Sequence, residues 1–325
     1  MYRDGQIPLW NPYQAAGTPL AAQYSTRVFF PYQILEDISP AIIWDFFLLG
    51  RLWMAGFFTY LFLTALSIRK SVAFLGGIFY MFSGNLIWFI SLEQMANVAM
   101  MVPPFLFCIE KLIDTRQKTF VALSGISLAL VLLAGQPETA LYVIALAVGY
   151  YIFRVVGQRQ WRTLIKGHFF RLVIVFILGL ALSAPLLLPF LEFMADSYNA
   201  HPPGGTMGLQ DPTSPSWAIY LIMPTLSQVP TYFRVLPHNG VWDFLGGYCG
   251  VLVIYLVLLG LFITGEKWKY SLFFSLFGMV ILSKNFGFIL TRWIGYLPLF
   301  DQAWSNRWAG PVWTFCFAVA GAICL

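Results

Sequence analysis

Residues 169–191 read FFRLVIVFILGLALSAPLLLPFL, and this stretch decides the fold class of the chain. Its only charged residue is Arg171, close to its start. A helix needs about 20 mostly apolar residues to cross the hydrocarbon core of a bilayer. The stretch meets that requirement and predicts a transmembrane helix.

The composition of the whole chain extends this prediction. Of its 325 residues, 59% are apolar and 10% are charged, and the mean hydropathy is +0.73. Soluble globular proteins have about 45–50% apolar and about 25% charged residues. These values exclude an ordinary cytosolic enzyme, a disordered chain and a nucleic-acid-binding protein. We therefore predict an all-α polytopic membrane protein with no nucleic-acid partner.

Further apolar runs predict about eight to nine transmembrane helices. Their ranges are 41–66, 72–91, 95–112, 119–135, 139–156, 169–191, 246–264, 268–284 and 309–325. They divide the chain into four regions: an outer interfacial loop at 1–40, helices one to six within 41–191, an outer loop at 192–245, and helices seven to nine within 246–325. The last region also contains an outer loop at 285–308.

The orientation follows from the basic residues, since Lys and Arg accumulate in cytoplasmic loops. Most of the 19 basic residues lie in alternate loops, such as Arg69 with Lys70 and the run from Arg154 to Arg171. Residues 1–40 are then expected outside. An outer segment normally follows an earlier helix, so we expect the chain to be an N-terminally truncated fragment of a longer protein.

Residues 1–40 have the features of an interfacial segment. Pro and Gly recur every few residues and forbid one continuous helix. Trp10, Tyr13, Tyr24 and Tyr32 have amphipathic rings suited to the headgroup level. The segment is interpreted either as a passive loop held by aromatic packing or as one wall of an outer site.

A few cations on the outer side run against the positive-inside trend. They are Arg234, Lys284, Arg292 and Arg307. Guanidinium groups beside aromatic rings suit an anionic phosphate. The alternative for each of them is a solvated side chain or a contact with lipid headgroups.

Two acidic residues occupy short turns on the same side. Glu138 follows Gly135-Gln136-Pro137, and Glu93 lies in an equally short turn. Both could serve chemistry at the bilayer edge, or could favour the dipole of the helix that follows. Within the first predicted helix, the spacing of Asp45 and Arg51 argues against a direct pair, and Arg51 is expected to face the bundle.

Several motifs resemble one family. The first lies in the N-terminal segment and consists of Gly5-x-Ile7-Pro8-Leu9-Trp10-Asn11-Pro12-Tyr13, Gly17-x-Pro19-Leu20 and Phe30-Pro31. Three short motifs follow among the first predicted helices: Tyr80-x-x-Ser83-Gly84, Pro103-Pro104 and Gly135-Gln136-Pro137-Glu138. The last two are Gly246-Gly247-Tyr248-x-Gly250 and the stretch from Leu297-Pro298-Leu299-Phe300 to Asn306-Arg307-Trp308. Together they resemble the YfhO-like bacterial membrane proteins. That family is similar to the GT-C glycosyltransferases, which take a sugar from a polyprenyl-phosphate carrier on the outer face.

The resemblance implies a function and its partners. We expect a glycosyltransferase of the bacterial cytoplasmic (inner) membrane, with membrane lipid around it, a polyprenyl-phosphate sugar donor and a glycan or cell-envelope acceptor. A divalent metal ion is a possible cofactor. The alternative is a non-catalytic transporter or flippase, or an assembly subunit, for lipid-linked glycans. The family's turn usually has His at the position of Gln136 and often Gln at that of Glu138.

The reaction assigns roles to particular residues. A base must take a proton from the acceptor hydroxyl. The acidic residues Asp4 and Glu138 are the predicted catalytic residues for this step. Cations must meet the charge on the leaving phosphate. The predicted substrate- and phosphate-binding residues are Arg234, His238, Arg292, Arg307, Trp10 and Asn11.

Overall fold

The structure is a computed structural model. It describes residues 2–14, 16–158, 161–197, 202–205, 209, 214–224, 246–262, 265, 267–303 and 308–325, with only the backbone at 4, 161–165 and 216–217. Three predicted site residues, Arg234, His238 and Arg307, lie outside this part of the chain.

The architecture is all-helical across the described residues. The helices are α1 (Pro31–Ile38), α2 (Trp44–Ala65), α3 (Lys70–Met81), α4 (Gly84–Trp88), α5 (Glu93–Thr115), α6 (Lys118–Leu133), α7 (Pro137–Val156), α8 (Trp161–Asp196), α9 (Val251–Gly260), α10 (Trp268–Asn285), α11 (Ile289–Arg292) and α12 (Gly310–Ile323). Short 3-10 turns precede α1 and α2 and follow α11.

Four segments of the described chain are long and apolar enough to cross a membrane. They are Ala41–Ala65, Glu93–Thr115, Pro137–Val156 and Lys166–Asp196. A fifth is reached when α10 and Ile289–Tyr296, which are bent by 95°, are taken as one span. Four further apolar helices, α3, α6, α9 and α12, are shorter. The prediction of an all-helical membrane protein is therefore supported by four or five segments of spanning length among the described residues.

Helix α5 lies at the centre of the bundle, packed against α2, α6 and α7, and is almost completely buried. Pro103 and Pro104 lie inside it. Proline has no N–H, so the carbonyl four residues earlier loses its helical donor. For Pro103 this carbonyl is Ala99, and it accepts a hydrogen bond of 2.8 Å from the Tyr80 hydroxyl of α3. Two of the sequence motifs are thus joined by one contact.

Helices α2 and α3 approach each other at glycines. A Cβ at Gly77 would lie 2.7 Å from the carbonyl oxygen of Gly56, a distance that real Cβ atoms do not reach. Close packing of this kind lets two backbones touch, as in membrane helix pairs. Gly77 therefore serves the close packing of α2 against α3.

The second and seventh predicted spans differ from the observed helices. The range 72–91 is divided into α3 and α4 by a break at 82–83. The helix expected at 246–264 begins only at Val251, because Gly246, Gly247 and Gly250 all have positive φ, which glycine adopts readily. The Gly246-Gly247 pair instead forms a turn against α4, where the Asn85 amide donates to the Gly246 carbonyl.

The helices run alternately between two ends. One end, called here the loop end, contains residues 2–43, 82–92 and 134–136. The opposite end contains the short connections at 66–69 and 116–117. The loop end therefore holds the N-terminal segment and the turns that the sequence analysis assigned to the outer face.

Candidate functional site at the loop end

Arg27 joins the N-terminal segment to the start of α5. Its Nη2 lies 3.1 Å from the Glu93 carboxylate, and its Nη1 donates to the Gln94 side chain at 3.4 Å. The exposed fractions are 17% for the Arg27 side chain and 30% for that of Glu93. The ion pair is thus half-buried, at the point where α5 begins.

The backbone at Arg27 is strained, and the residue on which its side chain packs, Gly135, must be glycine. Arg27 has φ of 57°, in the left-handed region that non-glycine residues rarely adopt. Its Cγ and Cδ pack on Gly135, where a Cβ would clash with them, and Gly135 itself has φ of 110°. The glycine of the Gly135-Gln136-Pro137-Glu138 turn is therefore required by the Arg27 stem.

Burial and neighbouring charges act on Arg27 in opposite directions. Burial lowers the pKa of its guanidinium, and the Glu93 carboxylate raises it in part. Arg51 lowers the same pKa, while Asp37 and Glu36 raise it. Among the described residues, its buried Nε finds no hydrogen-bond partner. The described residues around Arg27 thus carry both signs of charge, in line with the acidic and basic residues predicted for this side from the sequence.

Glu138 lies in the first turn of α7 and is partly exposed. The next residue, Thr139, donates its hydroxyl to the Trp308 carbonyl at 2.9 Å. The residue after Arg307 in sequence therefore contacts the residue after Glu138. Glu93 and Glu138 both lie in first turns, where an acid also favours the helix dipole.

Arg51 forms a buried network that fastens α1 to the bundle. It pairs with the Glu36 carboxylate, and its Nε donates to the Asn97 side chain at 2.7 Å. Gln33 accepts a longer bond of 3.4 Å, and the Tyr32 ring lies 5.1 Å from the guanidinium carbon. Arg51 thus faces the bundle as predicted.

The partner of Arg51 was not identified from the sequence. Asp45 is exposed, and Glu36 of α1 forms the pair across the break between α1 and α2. The signal that could have found it is the rule that an ionisable side chain within a span needs a buried partner.

Trp10 and Asn11 lie on a tight turn of the N-terminal segment. The Asn11 Oδ1 accepts the Tyr13 backbone N–H at 3.0 Å, and its backbone pairs with Thr18. The Trp10 ring packs over Gly17, where a Cβ would lie 2.5 Å from Cζ2, and Trp10 remains 52% exposed. Asn11 thus shapes the turn that presents Trp10.

The remaining predicted site residues are spread over the loop end. Asp4 ends a 3-10 turn that contacts α1. Arg292 is exposed at the end of α11. The structure brings the Trp10 turn, the backbone of Asp4, Glu138 and Arg292 to the same end of the bundle. Arg27 and Glu93 are the functional candidates that sequence reasoning did not name as a pair.

A second charged network lies toward the opposite end. The Arg154 guanidinium of α7 donates two hydrogen bonds to the Glu110 carboxylate of α5, at 2.8 and 2.6 Å. The Tyr150 hydroxyl donates a third, at 2.7 Å. This arrangement satisfies a buried carboxylate and fastens α7 to α5.

Within the described residues, no group of three or more His, Cys, Asp or Glu side chains could hold a metal ion.

Comparison of the chain with protein-family models, with curated proteins and with solved structures finds no match.

Proposed function

We propose that the protein is a membrane glycosyltransferase that moves a sugar from a polyprenyl-phosphate donor to a glycan or cell-envelope acceptor. The observation that carries the proposal is the contact of Arg27 with both Glu93 and the Gly135 turn. It joins three segments that are far apart in sequence. Glu138, one of the two predicted catalytic acids, lies three residues after Gly135.

The membrane placement supports the same proposal. The loop end carries the aromatic N-terminal segment, and the opposite end carries short connections flanked by Arg69, Lys70, Arg116 and Lys118. By the positive-inside rule the loop end faces outward. Counting α10 and the four shorter apolar helices as spans beside the four long ones would give nine crossings, which is compatible with the proposed GT-C-like fold.

The reaction needs little from the protein besides placement of charge. Glu138 or Asp4 takes the proton of the acceptor hydroxyl while the oxygen of that hydroxyl bonds to the anomeric carbon of the sugar. The bond between that carbon and the phosphate oxygen breaks, and the lipid phosphate leaves with its negative charge. Arg27 joins Arg234 and Arg307 as a cation that could stabilise that charge.

The experiment is a transfer assay with the purified chain in lipid nanodiscs. The donors are polyprenyl phosphates that carry a radiolabelled hexose or N-acetylhexosamine, and the readout is release of lipid phosphate coupled to label in a glycan acceptor. The test variants are Glu138→Gln and Arg27→Gln. The matched control is Asp114→Asn, an exposed acid at the opposite end that lies 3.5 Å from Arg154.

The expected result is transfer by the wild-type chain that falls about 10²-fold or more in Glu138→Gln, as for loss of a general base, and is unchanged in Asp114→Asn. Equal activity in all three variants would remove Glu138 and Arg27 from the site. Movement of a fluorescent lipid-linked sugar across proteoliposomes, without transfer, would overturn the transferase and favour a flippase.

A further inference from the structure

The segment 286–299 leaves the end of α10 at nearly a right angle. The turn is made at Gly287, whose φ of 65° is in the left-handed region, and α11 with the 3-10 turn Trp293–Tyr296 follows. The axis of Ile289–Tyr296 is bent by 95° from that of α10. We call 286–299 the bent segment.

The bent segment is fastened to the bundle at both ends. The Ser283 hydroxyl of α10 donates to that of Thr291 at 3.2 Å. Just beyond the segment, the Phe300 ring meets the Tyr142 ring of α7 edge-on at 5.3 Å. Its direction relative to the helices is therefore set by contacts at either end.

One face of the bent segment is apolar and exposed. Thr291 and Ile294 are buried against the protein, whereas Ile289 is 82% exposed and Leu290 70%. The other exposed large side chains are Phe288, Trp293, Tyr296, Leu297 and Leu299. A soluble surface rarely exposes so many large apolar groups next to one another.

The direction of the segment identifies what covers this face. Helix α10 has 18 residues, or about 27 Å at 1.5 Å per residue, close to the hydrocarbon core of about 30 Å. Membrane helices tilt by about 20° on average. With α10 across the bilayer, a segment at 95° to it lies within about 25° of the membrane plane.

The side chains on the segment fit that position. Tryptophan and tyrosine rings are enriched at the headgroup level, and the segment offers Trp293 and Tyr296. Arg292 is exposed among them and can extend its guanidinium to a lipid phosphate while its stem stays on apolar surface.

We infer that the bent segment lies in the outer lipid monolayer, parallel to the membrane surface, with Ile289, Leu290 and Trp293 in the acyl boundary and Arg292 on a lipid headgroup phosphate. It acts as an interfacial anchor next to the loop end and does not complete a span with α10. The inference concerns lipid contact alone and does not rest on the proposed transferase reaction.

The test measures depth with nitroxide labels in nanodiscs of phosphatidylethanolamine and phosphatidylglycerol. Labels are placed singly by Ile289→Cys, Trp293→Cys and Tyr296→Cys, with Leu276→Cys on α10 as the deep reference. The background carries Cys324→Ser, because the other three thiols are buried, and the unsubstituted background measures residual labelling. Depth is taken from collisions with oxygen and with a water-soluble nickel complex.

The expected result is that the three labels lie at one shallow depth, within about 6 Å of each other, and all shallower than the label at 276. A segment that continued into the bilayer would cover about 12 Å from 289 to 296, at 1.5–2.0 Å per residue. A steady increase of depth over that distance would overturn the inference. Equal exposure of all three labels to the nickel complex, with no oxygen contact, would also overturn it.

The labelled side chains are exposed, so the substitutions should leave the fold intact. Leu290→Cys provides a fourth reporter on the same face, and elution as a single monodisperse peak selects the samples that count. If the label at 290 lay deeper than the one at 276, the inference would fail even with the other three unchanged.

Discussion

Replacing Glu36 by glutamine is expected to release the N-terminal segment from the bundle. The substitution removes the negative charge opposite Arg51, whose side chain has no exposed area. Breaking one partner out of a buried ion pair costs about 3–5 kcal/mol, because the other charge stays buried without compensation. The docking equilibrium of residues 2–43 should therefore fall by roughly a hundredfold to a few thousandfold.

The double variant Glu36→Gln with Arg51→Met gives the sharper test. Replacing both members of a buried pair by groups of similar volume is often nearly neutral. We expect the double variant to recover most of the stability lost in the single one. Asp37→Asn is the matched control, since Asp37 is exposed one residue away and receives a 3.0 Å bond from Gln33; it should change stability by less than about 1 kcal/mol.

The assay is hydrogen exchange of the N-terminal segment in lipid nanodiscs, read by mass spectrometry. Peptides from residues 2–43 should exchange faster in Glu36→Gln and at the wild-type rate in Asp37→Asn, with α5 unchanged in both. Equal protection in the two single variants would refute the reasoning. A double variant as unprotected as Glu36→Gln would refute it as well, because the loss would then not come from an unpaired Arg51.

Three further outcomes follow from the packing. Gly135→Ala should destabilise the protein by about 1–3 kcal/mol, because residue 135 has a positive φ and a Cβ there would clash with Arg27. The measurement is the midpoint of denaturation in nanodiscs, which should fall; an unchanged midpoint would contradict the prediction. Tyr150→Phe removes a donor to the buried Glu110 carboxylate and should cost about 1.5–3 kcal/mol in equilibrium unfolding, whereas a neutral result would mean that Arg154 satisfies the carboxylate alone. Gly77→Ala should force α2 and α3 apart and destabilise the protein by about 1–3 kcal/mol. Cysteine crosslinking between the two helices should then be slower than in the wild type.

Much of the helical framework could be predicted from the sequence. Apolar runs of helical length mark most of the helices, because burial or lipid contact demands the same residues in either case. Turns such as the one before Glu138 were also predictable, since Gly and Pro end helices for local steric reasons. The range 72–91 shows the limit: its apolar run passes through a break at 82–83, next to Gly84, whose N–H donates to the carbonyl of the distant residue Tyr248.

The candidate site was less predictable for a physical reason. Arg27 and Glu93 lie far apart in sequence, and their contact depends on how the N-terminal segment folds over the start of α5. Neither residue type nor spacing encodes that path. The requirement for a partner to Arg51 was visible in the sequence, but the identity of Glu36 depended on the angle at which α1 meets α2.

The Glu36–Arg51 pair also bears on how the chain enters a membrane. A lone arginine near the centre of a helix opposes its transfer into lipid by about 2.5–3.5 kcal/mol. Glu36 precedes Arg51 in the chain, so it is synthesised first and can neutralise the guanidinium while α2 is still beside the insertion machinery. Asn97, on α5, is made later. Helix α2 is therefore expected to leave the machinery together with the short helix α1 before it, and to receive its last polar contact only when α5 arrives.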